Sequence, residues 1–203
     1  MSDLHCPATL LIARHGAAEY DHPDVLSDDG GWLSEAGKEQ VRALAESLHR
    51  RPVARVFSST MARACESATV AAEALDRQAV VLDGLQEFSV GDLAGRSYDD
   101  PALQEVYRSW LGGDLDAFIP GGETGASVIE RYRSALLEIA DQHRGETVLV
   151  FSHGGVMSFV LPRLGGSVRT DLTTAYHLPN CGVAEVAVNA DGFEVLSWPG
   201  HAG

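Results

Sequence analysis

The chain has 203 residues, enough for one sizeable domain and short for two. Its 45% apolar and 22% charged composition is that of an ordinary globular protein, and with no signal-peptide pattern and no apolar segment near the roughly 20 residues of a membrane span, a cytoplasmic location is expected. A formal net charge of −14, with no basic cluster beyond Arg50-Arg51, argues against nucleic acid or an anionic membrane as a partner.

The first apolar run, "TLLIAR" (9–14), reads as a strand buried on both faces. After a polar, Gly-containing loop, "LSEAGKEQVRALAESLHRR" reads as a helix capped by Ser34, with Val41, Leu44, Ala45 and Leu48 on one apolar stripe. "VARVFSS" (53–59) is the next strand, followed by an alanine-rich helix from Thr60 to about Leu75 and a short strand at 79–82. Helices follow at 101–111 and 124–143. "TVLVFS" (147–152) is a further buried strand, and the helix after it meets Pro162, which ends or kinks it. "GVAEVAVN" and "GFEVLSW" flank Ala190-Asp191 as a hairpin that extends the sheet or forms a dimer edge. This alternation predicts an α/β protein: a mainly parallel central sheet with helices on both faces, and ligands beyond the carboxyl ends of the strands. There is no internal repeat or linker, so residues 1–203 form a single domain, whose longest irregular segments are 84–100 and 112–124. Cys6, Cys65 and Cys181 are far apart, odd in number and without CxxC spacing, and read as buried reduced thiols.

Three strand ends carry polar groups that converge in such a sheet: Arg14-His15-Gly16, then Ser58-Ser59 with Arg63 in the next helix, then Ser152-His153-Gly154-Gly155. One histidine after a buried strand reads as readily as a hydrogen-bonded core side chain. Two, each followed by glycine and joined by two arginines, point to phosphoryl transfer. Guanidinium forks match phosphate oxygens, and an imidazole beside two permanent cations stays neutral and nucleophilic. Lys38 is the only lysine among 15 basic residues, so any bound anion must be held by arginine, histidine or backbone N–H groups. Helix starts after Gly16 and Gly154 would add such N–H donors.

"ARHG" (13–16) resembles the signature of the histidine phosphatase superfamily, also called phosphoglycerate mutase-like. The resemblance continues in the family's order through "LSEAGKEQ" (33–40), "VFSSTMARACESA" (56–68), "LQEFSVGDLAG" (85–95), "PGGET" (120–124) and "LVFSHGG" (149–155). It implies a three-layer α/β/α sandwich in which residues 84–124 form a loop and helix insertion, a lid over the site. It also implies a role for each matching residue. His15 becomes the nucleophile that forms phosphohistidine. Arg14 and Arg63, with Gly16 and Gly154, hold the phosphate; His153 donates to it. Glu87 takes the place of the acid that protonates the leaving oxygen and then accepts a proton from water. The resemblance implies no metal, and no cofactor is expected for this chain; neither HExxH, an EF-hand loop nor a cysteine pair occurs here.

The pattern breaks at two places. Where the family often has a phosphate-touching asparagine, this chain has Asp21, flanked by Glu19 and His22. An ionised aspartate repels phosphate, so it points away, carries a proton or reflects a loop of another length. Where the mutase branch follows its glutamate with arginine and tyrosine, Phe88 and Val90 stand instead. Apolar side chains there favour another leaving group and leave water as the acceptor. The expected activity is therefore a phosphatase acting on a small phosphorylated metabolite. The alternatives are a phosphoglycerate mutase-type phosphotransferase and a non-catalytic phospholigand-binding relative. The absence of G-x-S-x-G and of G-x-x-x-x-G-K-[ST] speaks against a serine hydrolase and a P-loop nucleotidase. Tyr107, Arg108 and Trp110 are candidate walls over the leaving group, and Arg96, Arg108 and Arg163 candidate partners for a second substrate charge.

Overall fold

The computed structural model describes residues 6–28, 30–165, 169, 172 and 178–199. Strand β1 (Ala8–Arg14) divides its side chains between two cores, as the two-residue period of a strand requires. Leu10 and Ile12 pack on one face, Leu11 and Ala13 on the other. Beyond β1 come the short strands β2 (Ala18–Glu19) and β3 (Trp32–Leu33), then helix α1 (Glu35–Ser47), strand β4 (Val53–Ser58), helix α2 (Ala62–Leu75) and strand β5 (Ala79–Val81). The second half contains α3 (Pro101–Leu111), α4 (Gly125–Gln142), β6 (Thr147–Ser152), α5 (Gly154–Val160), β7 (Val183–Asn189) and β8 (Gly192–Ser197). Proline ends α5 as expected, converting it to a 3₁₀ turn at Leu161–Arg163.

The main sheet has strand order β5-β4-β6-β1-β7-β8. β5, β4, β6 and β1 run parallel, and the β7-β8 hairpin continues the sheet antiparallel beside β1. The hairpin extends the sheet, with β8 as its edge strand. Helices α1 and α2 cover one face through Val41, Leu48, Ala64, Ala68 and Ala71. Helices α3, α4 and α5 cover the other through Trp110, Val128, Tyr132, Leu136 and Phe159. The result is the three-layer α/β/α sandwich the alternation predicts.

Local chemistry explains the element boundaries. Ser34 caps α1, its Oγ accepting the Gly37 N–H. Thr124 and Ser127 form a reciprocal capping box at the start of α4. Two expectations need correction. No helix begins after Gly16, because β2 follows and pairs with β3 to make a small separate sheet. The three thiols are free, yet none is fully buried: Cys6 lies exposed ahead of β1, and Cys65 and Cys181 are half-buried in loops and helix ends near β4 and β7.

Gly16 and Gly37 meet where the β1 end crosses the first turn of α1. A Cβ on Gly16 would stand 2.7 Å from the Gly37 carbonyl oxygen, and one on Gly37 would stand 2.1 Å from the Ala17 carbonyl oxygen. Helix propensity alone favours alanine over glycine inside a helix by about 1 kcal/mol. Here the obstacle is backbone, which cannot swing aside. Gly37→Ala is therefore expected to lower the urea midpoint of unfolding, opposite in sign to the propensity gain; a raised midpoint would contradict this packing.

Candidate active site

The register of the parallel strands assembles the site. Arg14 at the end of β1 pairs with Ser152 at the end of β6, and Ser58 at the end of β4 pairs with Phe151. The next residue along each strand continues the match: the His15 N–H donates to the Ser152 carbonyl at 3.0 Å, and the Ser59 N–H to that of Phe151 at 3.1 Å. His15, Ser59 and His153 thus lie side by side. The two imidazole centroids are 5.3 Å apart.

His15 is 4% exposed, and its Nδ1 lies 2.7 Å from the Gly16 carbonyl oxygen. A carbonyl only accepts, so Nδ1 carries the proton and Nε2 presents its lone pair. Arg63 Nε donates to that Nε2 at 3.2 Å. Burial first, then the charges of Arg63 and Arg14, pull the His15 pKa down to about 3, against the opposing effect of the Gly16 hydrogen bond. The imidazole is neutral throughout the physiological range.

Arg63 enters from the first turn of α2 and is 7% exposed. Besides His15, it donates to the Gly30 carbonyl at 2.9 Å and lies under the Tyr20 ring, 5.8 Å from its centroid. Ser67, one turn on, accepts the Gly16 N–H and donates to the Arg63 carbonyl, tying the β1 end to α2. Arg14 donates from Nη1 to the Leu178 carbonyl, while its Nε is buried without a hydrogen-bond partner. Gly154 lies against that Nε, where a Cβ would come within 3.2 Å. Asn180 and Cys181 secure the turn from below, donating to the carbonyls of His15 and Arg14.

His153, 1% exposed, lies 2.7 Å through Nε2 from Ser59 Oγ. Ser59 Oγ also accepts the Met61 N–H and keeps a second lone pair and its own proton, so this contact suits either tautomer of the ring. Nδ1 is buried without a partner. Burial, and then the charge of Arg63, hold the His153 pKa well below the usual histidine range.

Glu87 comes from the loop after β5. Its carboxylate accepts the Gly155 N–H at 2.8 Å and the Val156 N–H at 2.6 Å, at the start of α5. Gly155 makes this approach possible, since a Cβ there would stand 2.8 Å from Oε1. Burial raises the Glu87 pKa, while the surrounding N–H groups and Arg63 hold the rise back. The loop's backbone is clamped from α4. Arg131 donates to the carbonyls of Gly84, Gln86 and Glu87 and forms a two-point ion pair with Glu123. Glu123 accepts the Ser89 N–H, and Asp28 accepts both the Ser89 hydroxyl and the Val90 N–H. Arg131 and Asp28 escape sequence reasoning because their partners are distant in the chain.

Arg14, His15, Arg63, Glu87 and Gly154 meet at one pocket, whereas the Gly16 N–H is spent on Ser67 and His153 lies buried beside His15 without lining the pocket. A pocket of about 490 Å³ is lined by Arg14, His15, Arg63, Glu87, Gly154 and Gly155 at its polar end. Asp21, Glu19 and His22 are exposed and do not line it. Tyr107 does line it; Trp110 is fully buried with its Nε1 on the Ala117 carbonyl. Arg96 pairs with Asp100, Arg108 is exposed, and Arg163 caps carbonyls of Phe159, Trp110 and Leu111. None of these three arginines lines the pocket. Among the described residues no group of three His, Cys, Asp or Glu side chains is placed to hold a metal ion, and no helix is long and apolar enough to cross a membrane.

A family model described as histidine phosphatase superfamily (branch 1) matches residues 10–200. The chain is 32% identical over 200 residues to a metal-independent phosphoserine phosphatase of Arabidopsis thaliana, covering 93% of this chain and 80% of that one. It is 35% identical over 190 residues to a bifunctional protein of Mycobacterium tuberculosis, covering 92% of this chain and 52% of that protein, so it spans about half the length of that relative. Among solved structures, a mycobacterial glucosyl-3-phosphoglycerate phosphatase in complex with VO3 matches with a TM-score of 0.76, covering 95% of this chain and 99% of that one; at 23% identity the likeness is one of fold.

The buried imidazoles make a prediction for stability. Both folded pKa values lie below the unfolded value near 6.5, so neutral histidine contributes stability that is fully present above that value and is lost as pH falls through the folded one. For His15 the window runs from 6.5 down to about 3. His15→Gln should flatten the fall of the urea midpoint between these limits, since the carboxylates contribute alike to both proteins. Equal slopes would contradict a neutral, buried His15.

Proposed function

The chain belongs to the histidine phosphatase superfamily, branch 1, and on that premise we propose that it is a metal-independent phosphatase hydrolysing small phosphorylated metabolites through a phosphohistidine formed on His15. The observation that carries this reading is the contact of Arg63 Nε with His15 Nε2 at 3.2 Å. It places a lone pair where a cation is ready to receive a phosphoryl oxygen.

In the first step Arg63 Nε shifts its hydrogen bond from His15 Nε2 to a phosphoryl oxygen, the freed lone pair attacks phosphorus, and the bond to the leaving oxygen breaks. Glu87, protonated, gives its proton to that oxygen. Arg14 and Arg63 neutralise the charge on the phosphoryl oxygens; Arg14 Nε has donor capacity to spare for them, and so does His153 Nδ1 in the tautomer that carries its proton there. In the second step water attacks the phosphohistidine and yields its proton to the Glu87 carboxylate. The N–P bond breaks, and its electron pair returns to Nε2. Phe88 and Val90, lining the pocket beside Glu87, offer no grip for a returning phosphoglycerate, which favours water as the acceptor. Residues 84–124, which supply Glu87, Phe88, Val90, Tyr98, Leu103 and Tyr107 to the pocket, serve as the lid.

Three measurements test the mechanism. His15→Ala should abolish turnover of phosphomonoesters, and rapid-quench trapping of the wild type should yield an acid-labile, base-stable phosphoramidate. Turnover should persist in EDTA; a requirement for added divalent metal overturns the mechanism. Because the Glu87 pKa is raised and its protonated form starts the reaction, kcat/KM should fall as pH rises through that value, above the ordinary glutamate range. Removing the proton donor with Glu87→Gln should cost about 10²- to 10⁴-fold in kcat.

A further inference from the structure

We infer that the leaving group this enzyme accepts is uncharged and carries an apolar, ring-sized body, so that it discriminates against phosphorylated acids such as phosphoserine and 3-phosphoglycerate. The inference rests on the phosphatase reading above and specifies its substrate class.

The pocket is polarised along its length. Its two cations, Arg14 and Arg63, both lie beside His15. Beyond the cations the described lining is mostly apolar and aromatic, with Val25, Leu26, Phe88, Val90, Leu103 and three tyrosines, and its polar members Ser27, Gln104 and Ser158 are uncharged. Among the described residues that line this outer part there is no arginine, lysine or histidine. Arg96, Arg108 and Arg163 are engaged or directed elsewhere, as described above. Among the described lining residues the one carboxyl group is Glu87, which offers a substrate carboxylate no counter-charge whether it is protonated or ionised. A substrate carboxylate would enter with no counter-charge and lose its hydration, a cost that an uncharged group avoids.

The ring content of the wall is specific as well. Phe88 stacks on Tyr107 with centroids 5.8 Å apart and an interplanar angle of 27°, and its edge meets the buried Trp110 at 5.4 Å. This wall is therefore anchored in the core. Opposite the core, Tyr20 and Tyr98 line the pocket while remaining 41% and 64% exposed. Large aromatic groups left open to water at a pocket wall mark a surface that a ligand covers. Burial moves the phenol pKa of Tyr107 up to about 12, so its hydroxyl is neutral and supplies hydrogen bonds without charge. At about 490 Å³ the pocket has room for a phosphoryl group and a ring beyond it.

The test compares esters of primary alcohols, so that intrinsic leaving-group reactivity does not dominate. Measured in EDTA, kcat/KM for 2-phenylethyl phosphate should exceed that for phosphoserine and for 3-phosphoglycerate by about tenfold or more. Tyr107→Ala should lower the ratio of kcat/KM for 2-phenylethyl phosphate to that for methyl phosphate by about tenfold, because methyl does not reach the ring wall. Calorimetric binding to the His15→Ala protein ranks the same ligands without turnover. Faster turnover or tighter binding of phosphoserine or 3-phosphoglycerate would overturn the inference and leave the phosphatase reading standing. Absence of turnover with all four esters would overturn the phosphatase reading, while the binding ranking would still decide the question of class.

Discussion

A guanidinium donating into the lone pair of an imidazole is the contact on which the rest of this structure depends. Arg63 Nε can donate to His15 Nε2 only while that nitrogen is unprotonated, and a permanent cation at 3.2 Å makes protonation unfavourable. The arrangement is self-consistent only if the other ring nitrogen keeps its proton, which the Gly16 carbonyl ensures. That carbonyl is in turn held by the chain reversal at the end of β1, where the Gly16 N–H is fixed on Ser67 and Gly37 is packed against the turn. One requirement, a neutral imidazole among cations, thus reaches from the nucleophile into the contact between α1 and α2.

Glu87 poses the complementary problem, a carboxyl group that must hold a proton in a site built for anions. Burial favours the protonated form, and the N–H groups of Gly155 and Val156 favour the ionised one. A group that gives a proton in one step and takes one in the next needs both forms within reach. The carboxyl is carried on a loop and not on a regular element, so its position depends on supports from outside. Arg131 spans the carbonyl groups of Gly84, Gln86 and Glu87 in that loop, and Asp28 and Glu123 take the N–H groups that follow. The acid is therefore located by backbone contacts, leaving its carboxyl free to change charge.

How much of this was legible in the sequence follows from how local each signal is. The strands, the helices and their caps are written in short-range periodicity, and strand ends fall where polar residues interrupt apolar runs; His15, Arg63 and His153 were legible for that reason. Glu87 was not legible from its surroundings and came from the resemblance alone. The meaning of the glycines was only half legible: after both histidines a close approach is required, but at Gly16 the approaching group is Gly37 and at Gly155 it is Glu87. The helix expected after Gly16 fails because the two-residue strand β2 is stabilised by pairing with β3, and a pairing partner thirteen or so positions away leaves no local mark. Arg131 illustrates the same limit. On the sequence it is one arginine at the flank of an amphipathic helix, and its five hydrogen bonds exist only because the fold brings the loop after β5 to that helix.

A protein with a net charge of −14 that binds an anion must separate its local field from its overall one. Exposed carboxylates act through water and salt, and their influence fades over about 8 Å at physiological ionic strength. Arg63, 7% exposed and in contact with the nucleophile, acts through a medium that screens far less. Arg63, with the half-buried Arg14 beside it, therefore outweighs a larger number of surface anions at the point of reaction. Among the other described lining residues there is no cation, and aromatic and aliphatic side chains predominate beside the uncharged Ser27, Gln104 and Ser158. Phosphate recognition and leaving-group recognition are thus carried by different forces, charge at one end and apolar burial at the other, with Glu87 at the boundary where the bond between the two parts of the substrate must break.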